Sequence, residues 1–361
     1  MEVGWAHRFV EKFGYAIIMT NRCLVAGFAD RSEVYMQKRK TIVYLDQNFA
    51  SNLAKSLYLD DWKDPLASFY RELYELLSDL TDRDLIICPT SHFHSEETEL
   101  GNRVKEFLWH FVKQLGYGLS FKSYPEIMEQ QVVTAARAYC NLPDIQCPEW
   151  EIAFNRDPHV PIRRIPRPDL LVSFPNSQEF NEYVRLSRTS LADEYWTYKV
   201  HCRGKRQTYN KELEVQKNQY ILEIFKPRPS LNIKSSNLEQ VLNLLGLAGV
   251  IQFHRSVDEV LQHCADPERF FVSTQLLDCP YIHVWASLVA ADIFFHPEKK
   301  PPASLFTDFE IVASVLPYVD ILATDSYICE LVRRAKLSDR FGTKIFTFRQ
   351  REALLAELQR L

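Results

Sequence analysis

Thr41-Ile42-Val43-Tyr44-Leu45-Asp46-Gln47-Asn48 is the stretch on which the fold turns. Five β-branched and apolar residues followed by polar punctuation are the pattern of a strand buried on both faces. Asp46 closes the run and is a residue type that caps a following helix. Helical spacing then predicts one helix over 49–59 and a second over 65–80. The second carries Leu66, Phe69, Leu73, Leu76, Leu77 and Leu80 along one face. Leu85-Ile86-Ile87-Cys88 predicts another buried strand, and Pro89-Thr90-Ser91 opens a helix running to about 115. Strand, helices, strand, helix is the order of an α/β fold built on a parallel sheet.

The same texture returns downstream. Asp308–Leu316 reads as a short helix, with Ile311, Val312, Val315 and Leu316 on one face and Pro317 as its stop. Val319-Asp320-Ile321-Leu322-Ala323 is a strand ending at Thr324-Asp325. A helix over 326–336, a strand over 344–348 and a last amphipathic helix follow. The two stretches read as halves of one sheet. Between them, residues 120–275 show no clear strand pairs. They carry helix-forming runs at Lys211–Phe225 and Leu238–Leu247 and a proline- and arginine-rich loop at Asp157–Pro168. The expected organisation is therefore an N-terminal extension (1–40), a first α/β half (41–119), a mostly α-helical insertion (120–275) and a second half (276–361).

Composition narrows the function. Of 361 residues, 43 are Lys or Arg and 47 are Asp or Glu, a net charge of −4 that excludes a uniformly basic nucleic-acid coat. Only 10 glycines occur, where ordinary usage of about 7% would give about 25. Neither GxGxxG nor GxxxxGK[ST] is present, so glycine-loop nucleotide binding is not expected. The 8 cysteines are scattered without any CxxC, which fits reduced thiols in a cytoplasm. The apolar run at Tyr15–Met19 is too short to cross a membrane. A cytoplasmic protein with no membrane partner is expected.

Asp46, Glu96 and Asp325 fall beside predicted strand ends, and Asp308 starts a helix leading into a strand. Ligands of parallel α/β sheets bind at the carboxyl ends of the strands. Acids gathered there repel one another unless cations neutralise them, and Mg²⁺ or Mn²⁺ favours oxygen ligands. Each acid taken alone also reads as a helix cap or a solvated side chain.

Together these motifs resemble the PIN-domain superfamily of metal-dependent ribonucleases. The resemblance rests on the strand ending in Asp46-Gln47-Asn48 and on Pro89-Thr90-Ser91-His92-Phe93-His94-Ser95-Glu96. Its third part is Asp308-Phe309-Glu310-Ile311-Val312-Ala313 through Ile321-Leu322-Ala323-Thr324-Asp325. It covers roughly 41–115 and 300–361. It implies a PIN-like parallel sheet flanked by helices and interrupted by the helical segment. It also implies that Asp46, Glu96, Asp308 and Asp325 are catalytic metal ligands for Mg²⁺ or Mn²⁺, with Asn48 and Thr324 supporting. Glu97 competes with Glu96 for the helix position, and Ser91 lies at the start of that helix. His92 and His94, two residues apart on a helix, face different directions and make no chelating pair. His94 is instead expected to orient a phosphate or a carboxylate. The implied activity is hydrolysis of phosphodiesters, in RNA ahead of DNA, with a bacterial toxin or defence role following by analogy. The alternatives are a PIN-like scaffold that binds RNA or protein without cutting, and a metal-dependent phosphohydrolase of a small molecule.

One stretch concentrates positive charge. Tyr195–Lys211 holds Lys199, Arg203, Lys205, Arg206 and Lys211 with no acid, interleaved with rings that include Trp196 and Tyr209. Cations beside stackable rings suit single-stranded nucleic acid; the same residues also suit a turn between two helices at Gly204. The loop with Arg156, Arg163, Arg164 and Arg167 is the second candidate, for nucleic acid or for a protein partner of the insertion.

Overall fold

The computed structural model describes residues 39–59, 63–94, 114–143, 148–161, 178–203, 208–225 and 252–361. The expectations placed on residues 1–38, Glu96, Glu97, Lys205, Arg206, 162–177 and 238–247 lie outside the described residues.

The opening stretch forms β1 (Thr41–Leu45), and Asp46 caps α1 (Gln47–Tyr58). Next come α2 (Ala67–Asp82), β2 (Ile86–Ile87), α3 (Tyr124–Tyr139), α4 (Gln178–Cys202) and α5 (Tyr209–Ile224). The chain continues through α6 (Pro280–Phe295), α7 (Leu305–Val315), β3 (Ile321–Ala323), α8 (Ser326–Arg334), β4 (Lys344–Phe346) and α9 (Arg351–Leu358). The protein is thus a mixed α/β molecule, mostly helical, around one small sheet.

The four strands lie in the order β2-β1-β3-β4, all parallel. Val43 pairs with Ile321 and Leu45 with Ala323, so strands far apart in sequence become neighbours in register. Strand alternation sends successive side chains to opposite faces. Val43, Leu45, Ile321 and Ala323 enter a core with Phe49, Leu53, Leu73 and Leu77 of α1 and α2 and Leu354 of α9. Ile42, Tyr44 and Leu322 enter a second core with residues of α3, α5, α6 and α7. Helices on both faces explain why the strands read as unbroken apolar runs.

The second core is built around α6. Residues 281–293 of that helix are all buried, and a helix apolar all round belongs in an interior. Its Trp285 lies 4.4 Å from Tyr220 of α5, ring centre to ring centre. Middle-segment helices therefore share one of the sheet's two covering layers with α6 and α7.

Lys40 is buried, ion-paired to Asp84 at 2.7 Å and donating to the Val160 carbonyl at 2.6 Å. Asp320, at the far end of β3, accepts from the Ile42 amide at 2.8 Å and so faces away from the strand ends that carry Asp46 and Asp325. Gly116 marks a close approach: a Cβ there would sit 2.6 Å from the Cys88 carbonyl oxygen.

Candidate active site

Parallel pairing of β1 and β3 sets their carboxyl ends side by side, and each strand is followed by an aspartate. The Asp46 amide donates to the Ala323 carbonyl at 2.9 Å, which locks the two ends together. Both aspartates are helix N-caps. Asp46 Oδ1 accepts from the Phe49 amide at 3.0 Å, while Asp325 Oδ1 accepts from the amides of Tyr327 at 2.6 Å and Ile328 at 3.2 Å. The capping reading of each acid is therefore real, and it coexists with the pairing of the two.

Asp46 is buried. Burial pushes its carboxyl up to about 7, and the charge of Asp325 adds a smaller push in the same direction. The Phe49 amide, the Thr324 hydroxyl and the Asp325 amide work against that rise by donating to it. A carboxylate has about four acceptor positions, so these three donors fix its orientation and leave acceptor capacity over. Thr324 is buried, with its amide on the Phe346 carbonyl at 3.0 Å, so its hydroxyl is held where it meets Asp46. Asn48 lies exposed in the first turn of α1.

A hydrogen-bonded chain supports the strand end behind Asp46. Tyr44 and Ser91 hydroxyls are 2.7 Å apart. The Ser91 amide donates to His94 Nδ1 at 3.1 Å, which makes Nε2 the protonated nitrogen; that N–H donates to the Leu45 carbonyl at 2.8 Å. Burial lowers the His94 pKa to about 4, so the ring is neutral. Its nitrogens are spent on the backbone of the residue preceding Asp46 and on Ser91, which is a positioning job. His92 is likewise pushed down, to about 3, by burial. Its ring lies against Phe93 and 5.8 Å from Tyr124.

The structure thus brings Asp46, Thr324 and Asp325 together, with His94 and Ser91 bracing the strand end. Asp308 sits in the first turn of α7, half-buried, with Phe309 and Glu310 buried beside it. Among the described residues no three His, Cys, Asp or Glu side chains converge as a metal-holding set, so Asp308 does not complete one with the aspartate pair. Glu96 and Glu97 lie outside the described residues.

The basic stretch requires a correction. Lys199 is fully buried and ion-paired to Asp292 at 2.7 Å. Arg203 donates to the Pro297 carbonyl at 2.7 Å, pairs with Glu298 at 2.9 Å and covers the Trp196 ring at 4.6 Å. Tyr209 stacks on Phe295 at 5.7 Å. Residues 195–202 belong to α4, and helical geometry turns their cations and rings onto α6 and its following loop rather than into one outward stripe. Lys199 is therefore withdrawn from any surface, and Arg203, Trp196 and Tyr209 are half-buried and engaged within the protein.

Sequence reading also passed over Asp292, fully buried in α6 and bonded to Lys199, Tyr195 and Tyr327. The signal was present: it is the one acid in an otherwise apolar helix, and such acids are retained only when paired. Among the described residues no helix is long and apolar enough to cross a membrane. No known protein family, no curated protein and no solved structure matches the chain.

Proposed function

We propose that this chain is a divalent-metal-dependent nuclease that hydrolyses RNA at the Asp46–Asp325 edge of the sheet. One observation carries the reading: two adjacent parallel strands deliver helix-capping aspartates to the same edge, where burial and the neighbouring Asp325 charge push Asp46 up to about 7. The donors there are carboxylate and hydroxyl oxygens, the set that hard cations take. Asp46 and Asp325 are the proposed ligands, Glu96 the proposed further acid, and Mg²⁺ or Mn²⁺ the proposed ion. When bound, such an ion supplies Lewis acidity, readying a water for attack on phosphorus and balancing the charge of the departing oxygen.

The chain's own residues then have defined tasks. The Phe49 amide and the Thr324 hydroxyl hold Asp46 in one orientation, and the amides of Tyr327 and Ile328 do the same for Asp325. Neutral His94 fixes the Leu45 carbonyl and keeps β1 from sliding against β3.

A second reading, a metal-dependent phosphohydrolase of a small molecule, is favoured by one fact: Lys199 and Arg203 are committed inside the protein rather than offered to a polymer. One assay separates the two. The full chain is incubated with single-stranded RNA, single-stranded DNA and a nitrophenyl phosphate ester in Mn²⁺, with Asp46→Asn and Asp325→Asn alongside. Cleavage of RNA, reduced at least about a hundredfold in both variants, supports the nuclease. Turnover of the ester alone supports the second reading, and no Mn²⁺-dependent hydrolysis of any kind removes both.

A further inference from the structure

The carboxylate of Asp292 has no contact with water, and burying an ionised acid is tolerable only with a counter-charge and full hydrogen bonding. It has both. Lys199 Nζ at 2.7 Å and the Tyr195 hydroxyl at 2.8 Å, both from α4, donate to Oδ2. The Tyr327 hydroxyl, from α8, donates to Oδ1. Lys199 also donates to the Lys299 carbonyl at 3.0 Å, tying in the loop after α6. Three helices and one loop therefore converge on a single carboxylate.

Tyr327 faces two ways. Its phenol is anchored by Asp292, while its backbone amide donates to Asp325 Oδ1. The ring is also packed, with the Lys299 ammonium 3.5 Å from its centre and the His296 ring 5.2 Å away. The first turn of α8 cannot shift without drawing the phenol away from its buried acceptor.

We propose that Tyr327, Asp292 and Lys199 are positioning residues for Asp325. Asp292, balanced by Lys199 of α4, fixes the phenol of Tyr327 and so the turn whose amides hold the Asp325 carboxylate beside Asp46. The middle segment of the chain thereby controls the aspartate pair: drawing α4 away would strand the Asp292 charge and release the turn. The catalytic meaning of this arrangement rests on the nuclease reading; the mechanical one does not.

The test uses the full chain with Tyr327→Phe, which keeps the ring and removes one hydroxyl, together with Asp292→Asn. The first readout is amide hydrogen exchange in metal-free buffer over peptides covering 323–335. Losing a hydrogen bond to a charged group is expected to speed exchange at Tyr327 and Ile328 by about tenfold or more, with β1 and α1 unchanged. The second readout is the Mn²⁺ concentration giving half-maximal RNA cleavage, expected to rise about tenfold while KM for RNA stays constant. Unchanged exchange over 323–335 in Tyr327→Phe overturns the inference, and so does acceleration spread evenly over α1, α6 and α8. Should the wild type neither bind Mn²⁺ nor cleave, the nuclease reading falls, and the exchange data still decide the positioning role.

Discussion

Asp46 titrates in the direction that its burial dictates. Its folded pKa, about 7, lies above the ordinary carboxylate value of about 3.9. The neutral acid is therefore the form the fold favours, and its contribution to stability is complete below about pH 4 and lost as pH rises through about 7. In chelator, Asp46→Asn should be more stable than wild type at pH 8, on the order of 1–4 kcal/mol. The difference should vanish near pH 4, because asparagine still caps α1. Urea unfolding at the two pH values measures this, and parallel pH profiles for the two proteins would contradict it. Lys199 is the opposite residue-scale case. Lys199→Met leaves Asp292 buried without a counter-charge and should cost about 3–5 kcal/mol. Lys344→Met, which breaks the exposed pair to Glu357, should cost about 1 kcal/mol or less by the same denaturation. The sequence does not tell these two lysines apart, because each pairs with an acid distant in the chain and only the packing decides which pair is buried.

Single elements were legible where periodicity and capping agree. β1 and the Asp46 cap could be read directly, because an apolar run followed by Asp-Gln-Asn has few other structures available. α1 and α2 were expected over 49–59 and 65–80 and occupy Gln47–Tyr58 and Ala67–Asp82, ends that only backbone geometry sets. The Thr324-Asp325 turn was legible for the same reason as Asp46, since a short apolar strand is followed by a cap. What could not be read was the direction each cation and ring of α4 takes. A 25-residue helix presents its side chains all around, and the seventeen-residue basic run looked continuous only when written in a line. The close approach at Gly116 was equally silent, because it depends on the Cys88 carbonyl passing 2.6 Å from the missing Cβ. Gly116→Ala should force β2 and the segment behind it apart, costing about 1–3 kcal/mol in thermal unfolding. An unchanged melting temperature would show that the backbone there yields.

At the scale of the whole molecule, the long middle segment was read as something added to a sheet domain. The packing gives it another part. Ile42, Tyr44 and Leu322 share their core with residues of α3 and α5 as well as of α6 and α7, so the middle segment supplies part of the cover on one face of the sheet. The texture of residues 120–275 showed helices but not what they cover, since coverage is a tertiary property with no local signature. Joining residue 119 to 276 through a short flexible linker should therefore give a chain without a cooperative thermal transition, followed by circular dichroism. A sharply melting product would show that the two sheet-forming halves suffice alone.

The order β2-β1-β3-β4 also has a consequence in time. During synthesis, β1 and β2 leave the ribosome early, while β3 is made about 280 residues after Asp46. At elongation rates of about 5–20 residues per second that is a delay of about 14–56 seconds. Throughout it, one edge of β1 has no strand beside it and Asp46 has no Asp325. A nascent chain with this topology carries no assembled pair of aspartates until β3 has been made.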